Sequence, residues 1–230
     1  MEIDDVYLKP AQPTLFDVGA SSSGMLELFP GIWHLAEMLI SPDVHHRRMA
    51  VIRLYETRAV RLMPLVSYLL ATRIIESDLD VRVQVIAALG DVLISDEQGR
   101  PAPEAVRHCL TSYMSQIRTR QIYSLLQVLP DRPDLEQSVA RLLNSCPYAG
   151  NHLADILSSR KVPLNIRRHA ARMIGLVGYL DSIPALERLL ARLESRQHGQ
   201  QLMAFAPVEQ SDEIDLIPDI RRALAFLHSP

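Results

Sequence analysis

The sequence predicts an all-α protein built as an α-solenoid: about five antiparallel helix pairs and a terminal helix. Three observations lead there. From Gly31 onward apolar residues recur at helical spacing, as in Ile32, Leu35, Ala36 and Leu39, the pattern of a helix with one buried face. Turn formers break that period at short intervals, so helices of roughly 10–15 residues are expected, and short connections favour antiparallel neighbours. No run alternates β-branched and polar residues as a half-buried strand would. A short helix pair cannot bury both its apolar stripes alone, so the pairs must stack.

Residues 1–30 read as an irregular lead-in. They hold Pro10, Pro13, Pro30 and the stretch Gly19 to Gly24, which can bury little surface by itself. Leu15, Phe16, Leu26, Leu28 and Phe29 within it are expected to cap the first helices. The helical domain spans 31–230. Its first helix ends at Ser41-Pro42-Asp43, and a second runs over 44–57. Pro64 suits the first turn of a helix over 63–76. After Asp78-Leu79-Asp80, the stripe Val81, Val85, Ala88, Leu89, Val92 marks a helix over 81–94. The loop from Ser95 to Pro103 leads to helices over 104–116 and 119–129, closed by Pro130-Asp131-Arg132-Pro133. Further helices begin near Leu135, Ala149, Ile166 and Ile183. Residues 195–213 show no period and read as an irregular loop containing Leu202, Met203, Phe205 and Val208. Ile217, Ile220, Leu224 and Leu227 mark the last of about eleven helices.

Apolar residues make up 48% of the 230 and charged residues 22%, enough to form a sizeable core. A net charge of −3 argues against a dedicated nucleic-acid binder. Residues 31–194 carry 20 basic and 17 acidic side chains, and no aromatics interleave with the basic ones as stacking platforms would require. Arginine outnumbers lysine 22 to 2 (Lys9 and Lys161), as a GC-rich coding bias would give. Cys109 and Cys146 stand in apolar helical contexts at no metal or disulfide spacing, so buried thiols are expected. The acidic start, Met1-Glu2-Ile3-Asp4-Asp5, is not a signal peptide. No apolar run reaches membrane-span length, and a cytoplasmic protein without a membrane segment is expected.

The segment Asp80-Val81-Arg82-Val83-Gln84-Val85-Ile86-Ala87-Ala88-Leu89-Gly90-Asp91-Val92-Leu93 resembles the second helix of a HEAT repeat. Asn165 to Gly178, containing Ile166-Arg167-Arg168, Ala170-Ala171 and Gly175, is similar. Asp219-Ile220-Arg221-Arg222 is a weaker copy, and the segments around Arg47 and Arg118 are weaker still. The resemblance, shared with the armadillo-like solenoids and the short repeats of bilin lyases, implies a superhelical stack over about 31–228. Successive aligned arginines, Arg47, Arg82, Arg118, Arg167 and Arg221, stand 35, 36, 49 and 54 apart. The first two spacings fit one helix pair; the later ones break register. In HEAT-like proteins an acidic residue between helices pairs with the arginine of a neighbouring repeat. The resemblance thus assigns a structural role between repeats to Glu76 with Arg82, to Asp215 with Arg221, and to Arg167. Ser41, Ser112 and Lys161 fill the other acidic places, so the ladder is expected to be incomplete. Ala87, Ala88, Ala170 and Ala171 allow close helix approach. Gly90, Gly175 and Gly178 leave room near helix ends or supply a positive φ.

The residues give no catalytic centre. His45 and His46 are adjacent and point about 100° apart on a helix, so they cannot readily share a metal. No His-Glu dipeptide occurs, although deoxyhypusine hydroxylase, a HEAT-like metalloenzyme, uses such pairs. Nucleophile-elbow and phosphate-loop motifs are absent from the sequence as well. No catalytic, cofactor or metal residue is therefore assigned. The expected function is a non-catalytic scaffold binding a protein or peptide partner through Arg47, Arg48, Arg118, Arg120 and Arg168. Two alternatives are a nucleic-acid-backbone binder using the same arginines and an accessory or lyase-like subunit of an enzyme system.

Overall fold

The computed structural model describes residues 23–202 and 212–229. These form twelve α-helices and no strand: α1 Ser23–Met38, α2 Val44–Glu56, α3 Ala59–Leu62, α4 Pro64–Ala71, α5 Leu79–Val92, α6 Glu104–Met114, α7 Thr119–Leu126, α8 Glu136–Asn144, α9 Ala149–Ser158, α10 Leu164–Val177, α11 Ile183–Leu202 and α12 Ile217–His228.

Local chemistry sets most of the boundaries. Asp43 accepts the His45 N–H at 2.9 Å ahead of α2, and Asp78 accepts that of Val81 at 2.9 Å ahead of α5. Each such cap stabilises its helix by about 1 kcal/mol. Pro64 opens α4, where its missing N–H is not needed. Gly178 ends α10 at φ 86°, which a β-carbon would strain.

Three stretches depart from the sequence reading. Helix α1 begins at Ser23, inside the segment expected to be irregular, and carries Pro30 within it; a proline forfeits one helical hydrogen bond and need not end the helix. Arg58 adopts φ 57° after α2, and the chain restarts as the short α3, where no helix was expected. Helix α11 runs on to Leu202, and a 3-10 turn covers Asp212–Leu216. Only residues 203–211 of the expected loop remain, and these, with Leu15, Phe16, Met203, Phe205 and Val208, lie outside the described residues.

Helices α2, α5, α8, α10 and α12 form a row, each packed on the next. Beside it α4 packs on α6, α7 on α9, and α11 on α12. One continuous core joins them, with Leu54, Leu70, Ile86, Leu89, Leu110 and Leu125 fully buried; each such side chain contributes about 1.5–3 kcal/mol. Two glycines let the row close up. A β-carbon on Gly90 would stand 2.5 Å from Ser138 Cβ of α8, and one on Gly175 would stand 2.8 Å from Ala223 Cα of α12.

Candidate functional site

The fourth residue of α2, α5 and α10 is an arginine: Arg47, Arg82 and Arg167. All three are buried. Each turns back to backbone carbonyls upstream of its own helix and forward to a polar group before the next helix of the row. Arg47 donates from Nη1 to Ser41 O and Pro42 O, both at 2.9 Å, and grips both Glu76 oxygens at 3.1 and 2.9 Å. Arg82 donates to Glu76 O at 2.7 Å and Gln127 Oε1 at 2.8 Å. Arg167 donates to Leu157 O at 2.7 Å and Glu213 Oε1 at 3.0 Å. A planar fork suits such divided bonding, and lysine would not replace it.

The carboxylates answer these arginines. Burial pushes Glu76 upward, but hydrogen bonds from Arg47, the Asp78 N–H and Ser77 outweigh it and hold the group below its ordinary range. Glu213 is likewise pushed up by burial and brought down on balance by Arg167, Arg160 and Arg196. Its contacts to Arg160 and Arg196 are 3.3 and 2.7 Å.

This geometry revises the assigned roles. Arg47, expected to meet a partner, is buried in the Glu76 clamp. Glu76 presents its side chain to Arg47 of α2, and only its carbonyl to Arg82. Asp215 faces Arg168 at 3.4 Å rather than Arg221, and Glu213, two residues earlier, carries the clamp. Arg221 is the fifth residue of α12 and pairs on the surface with Glu194 at 2.6 Å. Arg48 and Arg168, the fifth residues of α2 and α10, bridge to the next helix of the row. Arg48 reaches Asp80 at 2.5 Å and Asp78 at 3.6 Å, and Arg168 reaches Asp219 at 3.7 Å. Arg118 precedes α7 and Arg120 lies in its first turn; both are exposed, with no ion pair among the described residues.

The turn Gln116 to Gln121 that carries these two arginines edges a cavity of about 570 Å³ between α4 and α6. Tyr68, His108, Cys109, Ser112 and Tyr113 complete its wall, and Tyr68 meets Tyr113 edge to face at 5.7 Å. The volume falls within the usual range for ligand pockets, about 300–1,000 Å³. Cys109 is half-buried, contrary to the expectation of a buried thiol, and lies 3.4 Å from Pro64 O. Burial pushes its thiol above the ordinary range, which makes it a poor nucleophile at neutral pH. Cys146 is buried. Among the described residues no group of three His, Cys, Asp or Glu side chains could hold a metal ion, and no helix is long and apolar enough to cross a membrane.

Comparison with family models, curated proteins and solved structures finds no match to this chain.

Proposed function

We propose that the chain is a HEAT-like α-solenoid acting as a non-catalytic protein-interaction scaffold. The observation that carries this reading is the buried arginine repeated at the fourth position of α2, α5 and α10. A repeated fastener between successive helices is what a stack of like units needs, since each unit is held only by its neighbours. Stacks of this kind offer long continuous surfaces to partners. The free cysteines suit a reducing, cytoplasmic setting.

Of the five arginines that the sequence offers to a partner, Arg118 and Arg120 keep uncommitted charges. They are the proposed contacts, beside the Tyr68–Tyr113 cavity. The nucleic-acid reading loses support because Arg48 and Arg168 already face carboxylates. A phosphate backbone would have to displace those ion pairs to reach them.

Affinity capture from lysate of the source cell, with and without nuclease, tests the reading. One defined protein should co-purify whether or not nuclease is added, and Arg118→Glu with Arg120→Glu should reduce its recovery. Capture that collapses on nuclease treatment overturns the reading in favour of nucleic acid.

A further inference from the structure

Helices α8, α10 and α12 share a second surface with a different character. A notch of about 260 Å³ is lined by Glu136, Arg172, Leu176, Asp219, Arg222, Ala223 and Phe226. Arg172 and Leu176 are one turn apart on α10. Asp219, Arg222, Ala223 and Phe226 follow i, i+3, i+4, i+7 on α12 and so share one face of that helix. Leu176 and Phe226 are 43% and 60% exposed. A single exposed apolar side chain is ordinary. Two of them flanking a notch, with small Ala223 between, form an apolar floor within a polar rim, as at protein interfaces.

The notch is below the usual small-molecule range of about 300–1,000 Å³, so it suits one anchoring side chain better than a free ligand. Its charges decide what accompanies that side chain. Glu136 is paired with Arg172 at 3.4 Å, and Asp219 with Arg168 at 3.7 Å. Arg222 makes no hydrogen bond or ion pair among the described residues. The one uncommitted charge in the lining is therefore positive, one turn from Phe226.

From this we infer that the α10–α12 notch docks an amphipathic helical segment of a partner protein. The segment seats a large apolar side chain between Leu176 and Phe226 and presents a carboxylate to Arg222. The inference names a site and partner chemistry within the scaffold reading above and rests on it. Helix-in-groove recognition of this kind depends on a few apolar anchors, and a flanking charge fixes register.

A phage-displayed library of random peptides, panned against the full chain, tests it. Enriched peptides should carry large apolar residues at helical spacing with Asp or Glu beside them. Their binding should weaken about tenfold or more on Phe226→Ala, a substitution at an exposed position that should leave circular dichroism unchanged. Arg222→Glu should weaken it similarly, and exchanging the peptide carboxylate for lysine should restore binding to that variant. The inference is overturned if no peptide is enriched, if binding ignores both substitutions, or if peptides lacking a carboxylate bind equally well. It is also overturned if sedimentation shows the chain dimerising through Phe226, because the occupant would then be a second copy. Peptides that bind elsewhere on the chain sink this site and leave the scaffold reading standing.

Discussion

The α2–α5 and α10–α12 junctions use the same arginine position and solve it differently. At α2–α5, Arg47 divides its donors between two carbonyls and both oxygens of Glu76. Glu76 takes one arginine, and the neighbouring Ser77 and Asp78 complete its hydrogen bonding. At α10–α12, Glu213 receives Arg167, Arg160 and Arg196 together. Arg167 has one carbonyl besides it. The first clamp is a closed local network; the second gathers three segments onto one carboxylate. Helices α8 and α12 carry Val139 and Ile220 at their fourth positions, both buried, so these two helices bring apolar packing in place of an arginine clamp of their own.

The comparison is broken most severely by Glu213→Ala. It strands the buried Arg167 and leaves two further arginines side by side. Removing one partner of a buried pair costs about 3–5 kcal/mol, which in a chain of this size lowers Tm by roughly 10 °C. The loss should be local: hydrogen exchange should accelerate in α12 and hardly change in α2. Glu76→Ala should cost less, near the low end of that range, because Arg47 keeps Ser41 O and Pro42 O. Its exchange should rise in α1 and α2. Equal costs for the two variants, or exchange rising uniformly along the chain, would refute the distinction.

Next in size are the two close helix approaches. Gly90→Ala and Gly175→Ala each force a contact that must relax, at about 1–3 kcal/mol, against which the helix gains up to about 1 kcal/mol in propensity. The obstacles differ. At Gly90 it is the Ser138 side chain, at 2.5 Å from Cβ and 2.6 Å from Oγ; at Gly175 it is the Ala223 backbone, at 2.8 Å from Cα. Ser138→Gly should therefore rescue much of Gly90→Ala, while Ala223→Gly should rescue little of Gly175→Ala. Denaturant midpoints of the single and double variants measure this directly.

Acid offers a reversible form of the first test. Glu76 and Glu213 are both held below the ordinary 4.5 of a glutamate in the folded chain. A depressed folded value means stability that is fully present above the unfolded value and is lost as pH falls through the folded one. Stability should begin to drop near pH 4.5 and continue below it. Glu76→Gln and Glu213→Gln should each flatten that decline. A pH profile unchanged in both variants would show that neither carboxylate is responsible.

How much of this the sequence disclosed depended on distance along the chain. Helical period and proline placement marked nearly every helix because both act within a turn or two. The clamp arginines Arg47, Arg82 and Arg167 were also visible, each four residues after the residue preceding its helix: Asp43, Asp78 and Pro163. Arg118, which lies outside α7, and Arg221, one position later in α12 than the clamp position, resemble them in local sequence but do not keep that count. Partners were harder to read. Glu76 is 29 residues from Arg47 and Glu213 is 46 from Arg167, and no local rule links such positions. Glu213 also falls where the period had lapsed, so Asp215 stood nearer the expected place. The notch at Leu176, Ala223 and Phe226 was invisible because exposed and buried leucines look alike until the neighbouring helix is in position.

The smallest expected effect comes from Arg221, which the HEAT resemblance pairs with Asp215 and which meets Glu194 instead. Arg221 and Glu194 meet at 2.6 Å with side chains 62% and 33% exposed. Water solvates both, and holding two long side chains together costs entropy, so the pair is worth about 1 kcal/mol at most. Arg221→Ala should shift Tm by only a few degrees, and added salt should erase the difference. Arg167→Ala, aligned with it by sequence yet 3% exposed, should keep its full penalty in salt. A large, salt-resistant cost at Arg221 would mean that α12 is held through Glu194 of α11 as well as through Glu213.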